Sequence, residues 1–260
     1  MKKLTTVLLS GLLLLFVALP IQAQDSVAKV HLFQSYFFDA PIATAGYGEG
    51  GLSFASYEKW NTLGLGIQGG YPINEKIELQ SELRYLNWSP DKGDGQSGIS
   101  DLGVYGRYNV YDEKQTNIAA GGMITLPIGS EDVGQGNLNF GAFGAVRHAL
   151  NEQTALLGTI GLIFFEKTEF EFNPNTFQLE EKTSYDNYLK IGLGGVYSVN
   201  PQLNLVGELN IHSEGDYMML SGGADYILGG GRLRGALGLG LDDGAPDIML
   251  VGGYSISLSK

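Results

Sequence analysis

The chain contains no cysteine. That excludes a disulfide scaffold, thiolate zinc sites, iron–sulfur clusters, thiol catalysis and an anchor on an acylated cysteine. Charge is scarce as well: 17% of the 260 residues are Asp, Glu, Lys or Arg, against about a quarter in ordinary soluble domains. Bases are the scarcer sign, 16 against 28 acids, for a net charge of -12. Nucleic-acid binding draws on clustered Lys and Arg that displace counterions, so no nucleic-acid partner is expected. Beyond the first two dozen residues no apolar run reaches the length of about 18 that a membrane helix needs. Any membrane crossing therefore falls to strands. What the chain has in plenty is glycine, 39 residues or about twice ordinary usage, together with 14 Tyr and 12 Phe. Rich in Gly and Tyr, free of Cys and low in charge is the composition of an outer-membrane β-barrel.

Lys2 and Lys3 precede an apolar stretch from Leu8 to Leu19, and small Ala23 stands before Gln24. This is the layout of a secretory signal peptide over residues 1–23, cleaved near Ala23. Its removal takes two lysines and leaves the exported chain still more acidic.

From residue 46 onward the hydrophobic period is two. Leu203, Leu205, Leu209 and Ile211 share one face, and Asn204, Glu208, Asn210 and His212 the other; Lys76–Trp88, Asp101–Val110 and Leu233–Leu241 read the same way. Two-sided alternation over about ten residues is the pattern of a transmembrane barrel strand. Twelve strands are predicted, at about 47–57, 61–71, 76–88, 99–111, 116–127, 137–149, 154–166, 185–199, 203–212, 217–228, 232–241 and 247–258. The fold class is therefore all-β, a transmembrane antiparallel up-and-down barrel of about 12 strands (10 to 14) over residues 46–260. Short turns alternate with generally longer connections, the longest being Lys167–Thr183. Short turns are expected on the periplasmic side and long loops outside. Residues 24–45 are a plug, a periplasmic segment or an extra strand, and a thirteenth strand would break the usual even count.

Aromatic residues cluster near predicted strand ends. Trp60, Tyr85, Trp88, Phe164, Phe165, Tyr185 and Tyr217 lie at the long-loop side, and Tyr71, Tyr108, Tyr111, Tyr197 and Tyr226 at the short-turn side. Two membrane-boundary girdles are the expectation, with ordinary strand propensity the competing explanation. The closing Gly253-Tyr254-Ser255-Ile256-Ser257-Leu258 resembles the terminal-strand signal read by the barrel-assembly machinery, without its usual final aromatic.

Catalytic signals are weak. Gly46/Gly48/Gly51 and Gly64/Gly66/Gly69 match a dinucleotide fingerprint, but no helical pattern follows either. Asp91–Gly95 places glycines where a calcium loop needs ligands. The histidines are His31, His148 and His212; His212 and Ser213 are adjacent and so face opposite sides of a strand. No catalytic residue, metal or cofactor is assigned, and the chain is not expected to be an enzyme. By parity the lumen is lined by Glu78, Glu82, Asp101, Glu208 and Asp225, and by Arg84, Arg107, Arg147, Lys190 and Arg234. The interior is thus nearly neutral in an acidic protein. Either ion pairs brace a filled barrel or they line a polar path. Small inward residues, among them Gly103, Gly121, Gly192, Gly194, Gly223 and Gly238, point to some free space.

The stretch Gly98-Ile-Ser-Asp101-Leu-Gly-Val-Tyr-Gly-Arg107-Tyr, then Leu126-Pro127-Ile-Gly129-Ser, then Gly134-Gln-Gly136, resembles the family described as the MetA-pathway of phenol degradation. Its members are outer-membrane barrels, often labelled transporters. The motif covers about 40 residues, and Ile128 stands where the family commonly has Thr. The resemblance implies uptake of small organic, aromatic or hydrocarbon compounds. Passive transport of a small solute is therefore the leading expectation. The alternatives are a structural or surface-interaction barrel with a closed lumen and, less favoured, a lipid-acting enzyme. The expected location is the outer membrane, and the expected partners are its lipid, the assembly machinery and a small-molecule solute.

Overall fold

The computed structural model describes residues 30–258 apart from 114, 135 and 174–176. The predicted signal peptide and residues 24–29 lie outside the described residues. Thirteen strands run in order: β1 (Tyr47–Ser56), β2 (Trp60–Asn74), β3 (Ile77–Pro90), β4 (Gln96–Ile99), β5 (Leu102–Glu113), β6 (Thr116–Leu126), β7 (Asn139–Ala149), β8 (Thr154–Asn173), β9 (Gln178–Asn200), β10 (Leu203–His212), β11 (Met218–Leu228), β12 (Gly231–Gly240) and β13 (Ile248–Ser257). Consecutive strands pair antiparallel, and β1 pairs β13, so the sheet closes into a barrel of 12 strands. The short β4 extends the β5 side of the wall along β3.

Closure follows from the sequence. Each strand alternates apolar residues outward with small or polar residues inward, as the burial of β5 and β10 shows. The outer face exposes a continuous band that includes Leu65, Ile67, Leu205, Leu237 and Leu239. A patch of that extent is stable only against lipid, and closure pairs the strand edges around the barrel wall. Asn and Gly make the tight turns: Asn74 Oδ1 accepts from the Lys76 and Ile77 amides, Asn200 Oδ1 from Gln202 and Leu203, and Gly229 and Gly230 supply positive φ between β11 and β12.

Two predicted elements differ from the structure. Lys167–Thr183 is not a loop: β8 and β9 run on as a ladder to Asn173↔Gln178. Lys167–Phe172 itself alternates polar with β-forming residues, and that pattern continues the strand. The strand predicted at 99–111 is broken. The register with β3 shifts between Glu82↔Gly103 and Tyr85↔Ile99, which leaves Ser100 and Asp101 as a bulge.

The aromatics also divide in a way the sequence did not separate. Tyr71, Tyr85, Tyr108, Tyr111, Tyr185, Tyr197 and Tyr226 are exposed on the outer wall. Trp60, Trp88, Phe165 and Tyr217 share the parity of inward residues and are half-buried at the lumen mouth.

Candidate functional site: the lumen

Residues 30–46 carry no strand or helix and lie inside the barrel. Val30 and Leu32 pack on Ala155, Leu157, Val196 and Val206, in the short-turn half of the wall. The chain then rises to a turn closed by the Phe38 amide donating to the Ser35 carbonyl at 3.1 Å. Tyr36, Phe37 and Phe38 form that tip and pack on Tyr105, Phe143 and Ile163. Phe37 stacks on Tyr105 with centroids 4.3 Å apart, and Phe38 meets Phe143 edge-on at 4.7 Å. From Ala40 the chain returns to the short-turn end and enters β1.

A segment without secondary structure leaves its backbone polar groups unpaired, and burial makes that expensive. Here the inward charges supply the partners. The Glu208 carboxylate accepts from the amides of Phe33, Gln34 and Ser35. Glu78 Oε2 accepts the Ala43 amide at 2.6 Å. Arg147 donates to the Val30 carbonyl at 2.7 Å, Arg107 to that of Asp39 at 3.2 Å, and Arg234 to those of His31 and Leu32. Asn109 Nδ2 donates to the Ala40 carbonyl.

The same charges pair with one another. Arg107 and Glu78 meet at 2.8 Å with their side chains 1% and 0% exposed. Arg147 grips Asp39 through two bonds, of 3.1 and 2.6 Å. Arg234 joins Glu49 at 2.7 Å and Asp225 at 3.2 Å, and Arg232 joins Asp225 at 2.6 Å. Removing one member of such a pair strands a buried charge and costs about 3–5 kcal/mol.

Of the ten residues predicted to line the lumen, Glu78, Arg107, Arg147, Glu208 and Arg234 thus grip the N-terminal segment directly. Asp225 holds Arg234. Lys190 places its Nζ 4.6 Å above the Phe38 ring. Glu82 and Arg84 pair at 2.7 Å nearer the mouth, and Glu82 also accepts from Tyr105. Asp101 stands apart: from the bulge its Oδ1 accepts the Gly129 amide at 2.9 Å and fastens the turn after β6. Sequence parity missed Glu49, although it lies on the inward face of β1, and missed Asp39, which belongs to no strand.

The small inward residues do not leave the space they suggested. A Cβ added at Gly194 would meet Leu32 at 2.9 Å, one at Gly223 would meet Phe33 at 2.6 Å, and one at Gly192 would stand 2.8 Å from Ser35 Oγ. They are the seat into which the segment fits.

His31 stacks with Tyr36 and Tyr47, at 4.6 and 4.9 Å. Burial, reinforced by Arg107, Arg234 and Arg147, holds its pKa well below the ordinary imidazole value. His148 Nδ1 lies 2.8 Å from Thr116 Oγ1, and His212 stacks on Tyr217 at 4.2 Å. Among the described residues no cluster of three metal-ligating side chains occurs.

Above the segment, at the long-loop end, the lumen opens into a cavity of about 740 Å³. Ile163, Phe165, Tyr188 and His212 form part of its wall, with Glu166 and Glu214 beside them.

No family model matches the chain, and no curated protein matches it. Among solved structures, the KdgM porin aligns at TM-score 0.52 and 11% identity, covering 81% of this chain and 99% of the porin. The toluene transporter TbuX of Ralstonia pickettii aligns at 0.50 and 12% identity, covering 84% and 90%. The translocator domain of autotransporter NalP from Neisseria meningitidis aligns at 0.54 and 9% identity, covering 82% and 87%. These likenesses show a fold, and it is the outer-membrane β-barrel fold that porins and small-molecule transporters share.

Proposed function

We propose that the protein is an outer-membrane channel for small organic solutes, stoppered by its own residues 30–46. What carries this reading is the contrast between the two halves of the lumen. In the short-turn half the segment is gripped by hydrogen bonds and ion pairs from β3, β5, β7, β10, β11 and β12. In the long-loop half a cavity stands open. A barrel that served only as a scaffold has no need of a vestibule leading to a seated stopper. A specific observation also favours the closed structural barrel: buried ion pairs tie nearby strands to one another, as Arg107–Glu78 and Arg234–Glu49, and tie the segment to the wall, as Arg147–Asp39.

The natural absence of cysteine allows a clean test. Ser35→Cys with Gly192→Cys sets two thiols within disulfide reach, and Thr159→Ala clears the hydroxyl 2.5 Å from the new Cβ. Liposomes carrying this variant are expected to swell slowly in small organic solutes when oxidised and faster when reduced. Background swelling in both states, and in a variant lacking residues 30–45, would leave the closed barrel as the better account.

A further inference from the structure

The cavity at the long-loop end has a chemical bias of its own. Its inner wall carries rings on successive strands, Phe165 of β8, Tyr188 of β9 and His212 of β10, and Tyr217, just before β11, stacks on His212. Neighbouring centroids lie 6.0, 5.0 and 4.2 Å apart. A second inward aromatic group stands elsewhere on the mouth, where Tyr57 stacks on Trp60 at 4.8 Å and Trp60 lies 6.3 Å from Trp88. Rings in such number give an apolar wall with exposed π-faces, which attract cations.

The charges point the same way. Glu166 and Glu214 are the carboxyl side chains on the cavity wall, and among the described residues no Lys or Arg lines it. Two inward bases have partners of their own. Lys190 lies over Phe38 in the floor, and Arg84 is paired with Glu82. Around the rim, the connections 57–59, 91–95, 127–138, 213–217 and 241–247 hold ten acidic residues against two basic ones. The short turns at the other end show no such excess: 75–76, 150–153, 201–202 and 229–230 hold Glu75 and Glu152 against Lys76. A one-signed rim over a concave site raises the local concentration of the opposite ion.

We propose that this vestibule binds organic ammonium ions, with the cationic head against the rings of Tyr188 and Phe165 and its charge balanced by Glu166 and Glu214. A volume of about 740 Å³ suits a ligand of drug-like size. The assignment rests on the channel reading only for passage of the bound ion onward; capture at the mouth stands by itself. An organic anion would meet an acidic rim, and an uncharged aromatic would gain the rings without the carboxylates.

Three probes of similar shape separate these classes: benzyltrimethylammonium, benzyl alcohol and benzoate, titrated calorimetrically against the detergent-solubilised full chain. Benzyltrimethylammonium is expected to bind, more weakly as salt rises, with benzyl alcohol weaker and benzoate undetected. Glu166→Gln with Glu214→Gln, and separately Tyr188→Leu, should each weaken it roughly tenfold, the scale of a partly screened charge contact or a cation–π contact. The heat-modifiable gel shift reports that each variant is still a folded barrel. Equal binding of the three probes, or folded variants that bind the cation unchanged, would overturn the proposal. Cation binding in a barrel that no solute crosses, even with the segment released, would support the site and overturn the channel.

Discussion

His31 shows how a single residue couples the lumen to pH. It is buried between two tyrosines and within the field of several arginines, so it is neutral when the segment is seated. Withdrawn into water it would titrate near its ordinary value of 6.5. The withdrawn form therefore takes up a proton that the seated form refuses, and seating weakens as the pH falls below that value. The loss grows by up to about 1.4 kcal/mol per pH unit until the depressed pKa is reached. Solute flux through the wild-type barrel should rise between pH 7.5 and 5.5, and His31→Gln should flatten that rise. An unchanged slope in His31→Gln would show that His31 does not carry the response. Parity along regular strands made Glu78, Arg107, Arg147, Glu208 and Arg234 legible as inward residues. Their purpose was not legible, because their partners are backbone groups of a stretch that has no period to read.

At the scale of elements, the segment and its seat are complementary in volume. Leu32, Phe33 and Ser35 occupy the hollows over Gly194, Gly223 and Gly192. Gly194→Val should expel Leu32, which an added Cβ would meet at 2.9 Å, and asks a few tenths of an ångström of the wall, whose Gly207 carbonyl oxygen lies at 3.3 Å. The expected outcome is a barrel with normal heat-modifiability and faster swelling. Loss of the folded band on unheated gels would show instead that the segment is needed for the wall itself. The sequence announced the glycines but not their occupant, since an inward glycine reads the same whether its hollow is empty or filled. The β8–β9 extension was hidden for a related reason. Polar residues alternating with aromatics, near the turn-favouring sequence Asn173-Pro174-Asn175, read as an acidic loop until the ladder Lys167↔Ser184 to Asn173↔Gln178 is seen.

For the whole molecule, orientation follows from the asymmetry of its ends. Beyond Phe164 of β8 and Lys190 of β9 neither strand has a neighbour in the wall other than its partner, so the ribbon projects past the rim at the long-loop end. If that end faces the medium, Thr183→Cys, exposed on the ribbon, should react with an impermeant maleimide in intact cells. Reaction only after the outer membrane is broken would reverse the orientation and put the acidic mouth in the periplasm. The path of residues 30–46 carries one more consequence. Its described ends both stand in the short-turn half, Val30 beside Ala155 and Gly46 before β1. The segment is a loop dipped into the barrel rather than a thread drawn through it. A wall that has already closed can therefore receive residues 30–46 as a loop from the short-turn end.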